Sequence, residues 1–104
     1  MDYRVVVSQD AKDDLEKYVS YLTLEKCNMQ VAVNLLDDYD KTIDKLSLVA
    51  GNLKFCDNTR LKDRGYKRIN FLNHKYFMLF RVEDKTAYVD RIYHFLQDYE
   101  NKIL

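Results

Sequence analysis

The spacing of hydrophobic positions changes once along the chain, near its middle, from helical steps to strand-like alternation. Tyr3 to Val7 is a β-branched and aromatic run that ends at Ser8 and predicts a short strand. Ser8 then suits the N-cap of a helix, with Asp10, Asp13 and Asp14 placed to complement the helix dipole. Ala11, Leu15, Tyr18, Val19 and Leu22 recur at steps of three and four, which carries that helix to Glu25. Asn28 suits the cap of a second helix, whose apolar face is Ala32, Leu35, Leu36, Tyr39, Ile43 and Leu46. Gly51 is expected to end it in the left-handed conformation that glycine takes cheaply. Two amphipathic helices on a short connection predict an antiparallel hairpin.

Beyond Gly51 the period shortens. Asn52 to Gly65 is polar and basic and reads as a loop. Tyr66 to Phe71 predicts a strand, Asn73-His74 a tight turn, and Lys75 to Val82 its hairpin partner. Glu83-Asp84-Lys85 turns the chain into a last strand, Thr86 to His94. Phe95, Leu96, Tyr99 and Ile103 fall on one face of a short terminal helix. Three strands in a meander must bury a face, and the helical hairpin is the available cover. The expected class is α+β: βααβββ, with a helical hairpin packed on one face of a small, mostly antiparallel sheet. A chain of 104 residues has room for one domain, taken here as residues 1–104.

Composition excludes several classes. Apolar residues make up 47% of the chain, ample for a core, which argues against disorder. No apolar run approaches the roughly 18 residues that span a bilayer. Met1-Asp2-Tyr3-Arg4 lacks the apolar stretch of a secretory signal. Cys27 and Cys56 have neither zinc-like spacing nor a flanking histidine, so reduced thiols, no metal and no cofactor are expected, in a soluble cytoplasmic protein. The net charge of zero hides an asymmetry. Gln9 to Leu53 holds five Lys/Arg against nine Asp/Glu, whereas Lys54 to Arg91 holds ten against five. A basic second half points to an anionic ligand, the alternative being a solvated surface.

Four stretches carry a family resemblance. Val7-Ser8-Gln9-Asp10-Ala11-Lys12-Asp13-Asp14-Leu15 resembles the opening strand and Ser-x-x-Ala-x-x-Asp-Leu helix start of the RelE/ParE toxin superfamily. Leu61 to Ile69, with Gly65-Tyr66-Lys67-Arg68, is similar to its Leu-x-x-x-Gly-Tyr-Arg-x-Ile centre. Tyr76 to Val82 resembles its Tyr-x-Ile-x-Tyr-x-Val strand, and Arg91-Ile92-Tyr93-His94 with Gln97-Asp98-Tyr99 its ParE-side ending. The resemblance runs nearly end to end. It implies the toxin of a type II, plasmid-stabilisation type toxin–antitoxin pair, inhibiting growth and neutralised by a cognate antitoxin. ParE-like members poison DNA gyrase, and RelE-like members are ribosome-dependent mRNA endonucleases (mRNA interferases). The ending favours the ParE side. A degenerate toxin that only binds antitoxin is a third alternative.

Cleaving RNA without a metal requires a base, cations that steady the charged phosphorane, and an acid for the leaving oxygen. Arg60, Lys62, Arg64, Lys67, Arg68, Arg81 and Arg91 are the candidate cations. Alternation puts Tyr66, Arg68 and Asn70 on one face of their strand; Ile69 and Phe71 should face the helices, so Arg68 is presented on the open face. Phe77, Leu79 and Arg81 alternate with Tyr76, Met78, Phe80 and Val82, so both faces of that strand need cover. On the last strand Val89, Arg91 and Tyr93 are expected on one side, and Asp90, Ile92 and His94 on the other. The expected site is a basic open face with Arg68 and Arg91, where Tyr66, Tyr88 and Tyr93 could stack on bases. The alternative is that the arginines pair with Asp90, Glu83 or helix acids. His94 is the candidate acid or base of a nuclease. Phe95, however, stands where the nuclease pattern has a tyrosine. His74 is expected in an exposed turn.

Overall fold

The computed structural model describes residues 2–96. Strand β1 (Arg4–Val7) leads into helix α1 (Gln9–Ser20), which continues as a π-helical turn, Tyr21–Glu25. Cys27 reverses the chain with a left-handed φ of 50°, and α2 (Met29–Val49) returns. After a 3₁₀ turn (Ala50–Asn52) come a short helix α3 (Thr59–Asp63) and the strands β2 (Tyr66–Asn70), β3 (Tyr76–Glu83) and β4 (Thr86–His94). The sheet order is β1-β4-β3-β2. β1 runs parallel to β4, and the other pairs are antiparallel. The architecture is the expected α+β arrangement, with the helical hairpin on one face of the sheet.

Local chemistry starts both long helices as predicted. The Ser8 hydroxyl accepts from Ala11 N–H at 3.0 Å, and the Asn28 side chain accepts from Val31 N–H at 3.1 Å. Ser8 also donates through its hydroxyl to the Asp90 carbonyl at 2.9 Å, which fixes the start of α1 against β4.

β3 lies in the middle of the fold. Phe77, Met78, Leu79 and Phe80 are all fully buried. Met78 and Phe80 pack toward Leu35, Leu46, Val89 and Ile92 beneath the helices. Leu79, on the other face, packs with Leu61 of α3 and Cys56. Each such side chain contributes about 1.5–3 kcal/mol by leaving water.

Several expectations are corrected. Gly51 is not left-handed: it sits in the 3₁₀ turn, and a Cβ there would overlap the Tyr3 ring. The left-handed glycine is Gly65, at φ 82°, which ends α3 with its N–H on the Lys62 carbonyl at 2.9 Å. The segment expected as a loop therefore holds a helix, anchored by Leu61. On β4 simple alternation fails. Leu79 pairs with Arg91 but Phe80 pairs with Val89, so Asp90 is the extra residue of a β-bulge. Val89 and Ile92 both face the helices, and the Asp90 side chain turns to the opposite face, beside Tyr66 and Arg81. The terminal helix expected from Phe95 onward lies, beyond a turn at Phe95-Leu96, outside the described residues.

His74 is not free in an exposed turn either. Asp38 of α2, 1% exposed, receives the N–H groups of Leu72 and Asn73 at 2.9 Å each and meets His74 Nδ1 at 2.7 Å. One carboxylate thus ties the β2–β3 connection to the helical hairpin. Burial alone would raise the Asp38 pKa, but the bonds from His74, Asn73 and Leu72 outweigh it and hold the carboxyl below its usual 3.8. A group whose pKa is depressed by folding stabilises the fold above its unfolded value, and that contribution fades as the pH falls through the folded one. Asp38→Asn should therefore cost about 1–3 kcal/mol near neutrality. In urea titrations at decreasing pH, its difference from wild type should shrink below pH 3.8; a constant difference would contradict the assignment.

Candidate functional site

The sheet face away from the two long helices carries Tyr66 and Arg68 from β2, Phe77, Leu79 and Arg81 from β3, and Tyr88, Asp90, Arg91 and Tyr93 from β4. It is not an open basic plain. Its centre is dry: Phe77 and Leu79 are fully buried and Tyr93 is 1% exposed. Leu61 and Cys56 cover Leu79. The Arg68 guanidinium stacks 3.9 Å above the Phe77 ring and 5.0 Å from that of Phe95, and its Nε donates to Asn70 Oδ1 at 2.9 Å. Arg68 is thus on the predicted face, held by two aromatic rings.

At one end of this face, Asp90 gathers its neighbours. It accepts from the Tyr66 hydroxyl at 2.8 Å and from Arg81 Nε at 3.0 Å, while Arg81 also pairs with Glu83 at 3.2 Å. Burial pushes the Tyr66 phenol up to about 12, and the bond to Asp90 and its charge push the same way. That hydroxyl keeps its proton at neutral pH. Tyr93 is shifted upward too, chiefly by burial.

Arg91 is drawn to the sheet margin. β1 stops at Val7, opposite Val89, so the next turns of β4 have no strand beside them on that side. α1 takes its place. Asp14 accepts from Ile92 N–H at 3.0 Å, and the Tyr18 hydroxyl donates to the Ile92 carbonyl at 3.2 Å. Asp14 also holds Arg91 in a two-point pair, Nε at 2.8 Å and Nη2 at 2.9 Å. The hydrogen bond to Asp14 raises the Arg91 pKa, against the opposing effect of burial. Tyr18, beside them, is pushed up to about 12 by burial and the Asp14 charge, partly offset by a backbone bond from His94.

His94 ends β4 on the helix side, paired with Tyr76, whose ring it meets edge-on at 5.0 Å. Its Nδ1 accepts from Leu96 N–H at 3.1 Å, which leaves the proton of the neutral ring on Nε2. Lys67 also points to the helix side and is 8% exposed. Its ammonium sits 3.5 Å from the Ala50 carbonyl and 4.9 Å over the Phe55 ring, so it belongs to the interior rather than to a binding face. Arg60, Lys62 and Arg64, on and just after α3, are exposed. Of the candidate cations, Arg81 and Arg91 form the acid pairs weighed as the structural alternative.

Two solved structures are similar to this chain in fold. A chain of the chromosomal ParDE TA system from P. aeruginosa aligns with TM-score 0.70 and 18% identity, over 88% of this chain and 95% of that one. A chain of the toxin-antitoxin complex RelBE2 from Mycobacterium tuberculosis aligns with TM-score 0.60 and 18% identity, over 90% and 92%. The fold is RelE/ParE-like. No protein-family model matches the chain, and no curated protein matches its sequence. Within this RelE/ParE-like fold, Arg68 and His94 lie on opposite faces of the sheet and Arg91 is bound to a helix acid, so the three candidate catalytic residues do not converge. No helix among the described residues is long and apolar enough to cross a membrane.

The residues that organise the site and its surroundings are carboxylates: Asp14, expected only to complement the helix dipole, Asp90, weighed as an arginine partner, and Asp38, to which no role was assigned. Asp14 and Asp38 did leave a signal. Asp14 follows Ala11 by three and precedes Tyr18 by four, and Asp38 sits at the same steps between Leu35 and Thr42. A carboxylate on an apolar helical face must find donors, and these two do.

Asp14→Ala should cost about 2–4 kcal/mol, because it leaves a guanidinium and a backbone N–H together without their acceptor. Asp14→Asn should recover part of the loss. Thermal and urea unfolding measure both; a loss as small as that of an exposed helix residue would contradict the edge-capping role.

Proposed function

We propose that the chain is the toxin of a type II toxin–antitoxin pair, acting in the cytoplasm, neutralised by a cognate antitoxin, and inhibiting growth by poisoning DNA gyrase. The toxin reading is supported by the fold shared with chains of the ParDE and RelBE2 complexes and by the resemblance of the chain's own motifs. A shared fold does not choose the target, so that choice rests on the site.

One observation carries the non-nucleolytic choice: the separation of Arg68, Arg91 and His94. Metal-free cleavage of RNA needs a base, a cation and an acid around one phosphate. Here Arg91 is committed to Asp14, and Arg68 and His94 are divided by the sheet. The phenols of Tyr66 and Tyr93, shifted upward, are poor bases. A second reading, the ribosome-dependent mRNA endonuclease, draws on exposed Lys54, Arg60, Lys62 and Arg64, a basic segment suited to RNA phosphates.

The test pairs two assays on the purified protein. In plasmid supercoiling by purified gyrase, the chain should block supercoiling or trap cleaved DNA. In cell-free translation, primer extension along the message should find it intact, and His94→Ala should inhibit gyrase as wild type does. Discrete new 5′ ends that vanish in His94→Ala would establish the nuclease instead. Inertness in both, with no growth defect on expression, would establish a degenerate toxin.

A further inference from the structure

β3 outruns β2 at one end of the sheet: Tyr66 starts β2 opposite Arg81, while β3 continues to Glu83. The space left there is a hollow of about 460 Å³, bounded by Phe55, Gly65, the end of β3 and the 3₁₀ turn at Gly51. Its walls do not include Phe77, Leu79 or Tyr93, the dry strip of the sheet face. They do include Lys67. That side chain is interior to the fold, and here the interior is hollow.

Lys67 is a buried cation without a counter-charge among the described residues. A buried ammonium is ordinarily paired with a carboxylate, because it has given up its hydration. The partners of this one are the Ala50 carbonyl, at a long 3.5 Å, and the Phe55 ring. Glu83, the carboxylate in the lining, is taken by Arg81 at 3.2 Å, and Asp90 holds Arg81 again at 3.0 Å. Arg64, exposed just after α3, also lines the hollow and has no ion pair among the described residues.

The backbone adds a donor. Across the β2–β3 ladder the Phe71 N–H bonds to the Tyr76 carbonyl at 2.9 Å, so alternation turns the Val82 N–H to the same side. No residue of β2 stands opposite Val82, which lines the hollow, and the Gly65 N–H is spent on the Lys62 carbonyl.

We propose that this hollow binds a small phosphorylated molecule of mononucleotide size by its phosphomonoester group. With Arg81 and Glu83 paired to each other, Lys67 and Arg64 remain, and a phosphomonoester of about −1.5 to −2 charge near pH 7 matches both. The Val82 N–H is a further donor to its oxygens. A single carboxylate would balance only one cation. Free phosphate would leave most of the volume empty, since hollows of this size hold ligands with an organic body, for which Phe55 is a wall. A nucleic-acid strand needs cations spaced along its path, whereas these converge on one hollow. The site stands apart from Arg68, Arg91 and His94. Binding is measured on the isolated chain without any target, so failure here and failure of the toxin reading are separable.

The probe is adenosine 5′-monophosphate, titrated into the full chain by isothermal calorimetry. Binding should saturate at one molecule per chain, and adenosine, which lacks the phosphate, should bind at least about tenfold more weakly. Arg64→Gln, at an exposed position, should weaken nucleotide binding about tenfold and leave the melting temperature of the unliganded protein unchanged. Lys67→Met should abolish binding, yet melt no lower than wild type, because it removes an unpaired buried charge while filling its place. A lysine with a purely structural role would lower the melting temperature on removal. Absence of saturable binding would overturn the proposal, as would binding that neither variant weakens. Inorganic phosphate binding as tightly as the nucleotide would overturn it in favour of free phosphate. Tighter binding of a uridine oligomer, lost in Arg64→Gln, would overturn it in favour of nucleic acid.

Discussion

A strand that is apolar on both faces must be covered twice, and β3 imposes that requirement on the whole chain. Its Met78 and Phe80 require the helical hairpin on one side. Its Phe77 and Leu79 require something on the other, and the 53–65 segment together with Phe95 supplies it. The sheet face that would otherwise be a broad open surface becomes a dry strip with charged groups at its ends. Where the cations can act follows from this: those on and after α3 stay in water, while Arg68 is held on aromatic rings and Lys67 is folded inside. Along the outer edge of β2, that covering segment makes a single bridge and lines a groove.

The acidic first half and basic second half meet across the fold. Asp14 reaches Arg91 and Asp38 reaches His74, and each carboxylate also receives backbone N–H groups that no strand or helix could satisfy. The charge asymmetry is thus partly consumed by folding. Unpaired, such backbone groups would cost about 1–3 kcal/mol each, which makes the carboxylates structural joints more than surface charge. The basic character left over is concentrated at Lys54 and around α3.

The fold was largely readable because its signals are periodic: the steps of α1 and α2, the alternation of β2 and β3, and the caps at Ser8 and Asn28. Three features were hidden for distinct physical reasons. α3 is a single turn and a half whose only buried residue is Leu61, too little to show a period. The bulge at Asp90 breaks an alternation that any reading by twos must assume. The left-handed conformation expected of Gly51 belongs to Gly65, because one glycine is required by the approach of Tyr3 and the other by its own φ, and composition does not distinguish these. At the site, the face of Arg68 was legible from Ile69 and Phe71. The capture of Arg91 by a helix acid was legible only as an alternative, since the choice depends on β1 ending before β4 does.

A toxin that acts through gyrase and one that cuts message stop a cell in different orders. The most direct measurement is pulse-labelling of DNA, RNA and protein synthesis after induced expression of the chain without a partner. The account predicts that DNA synthesis fails first while translation continues at that time. Immediate collapse of translation with DNA synthesis still running would contradict it.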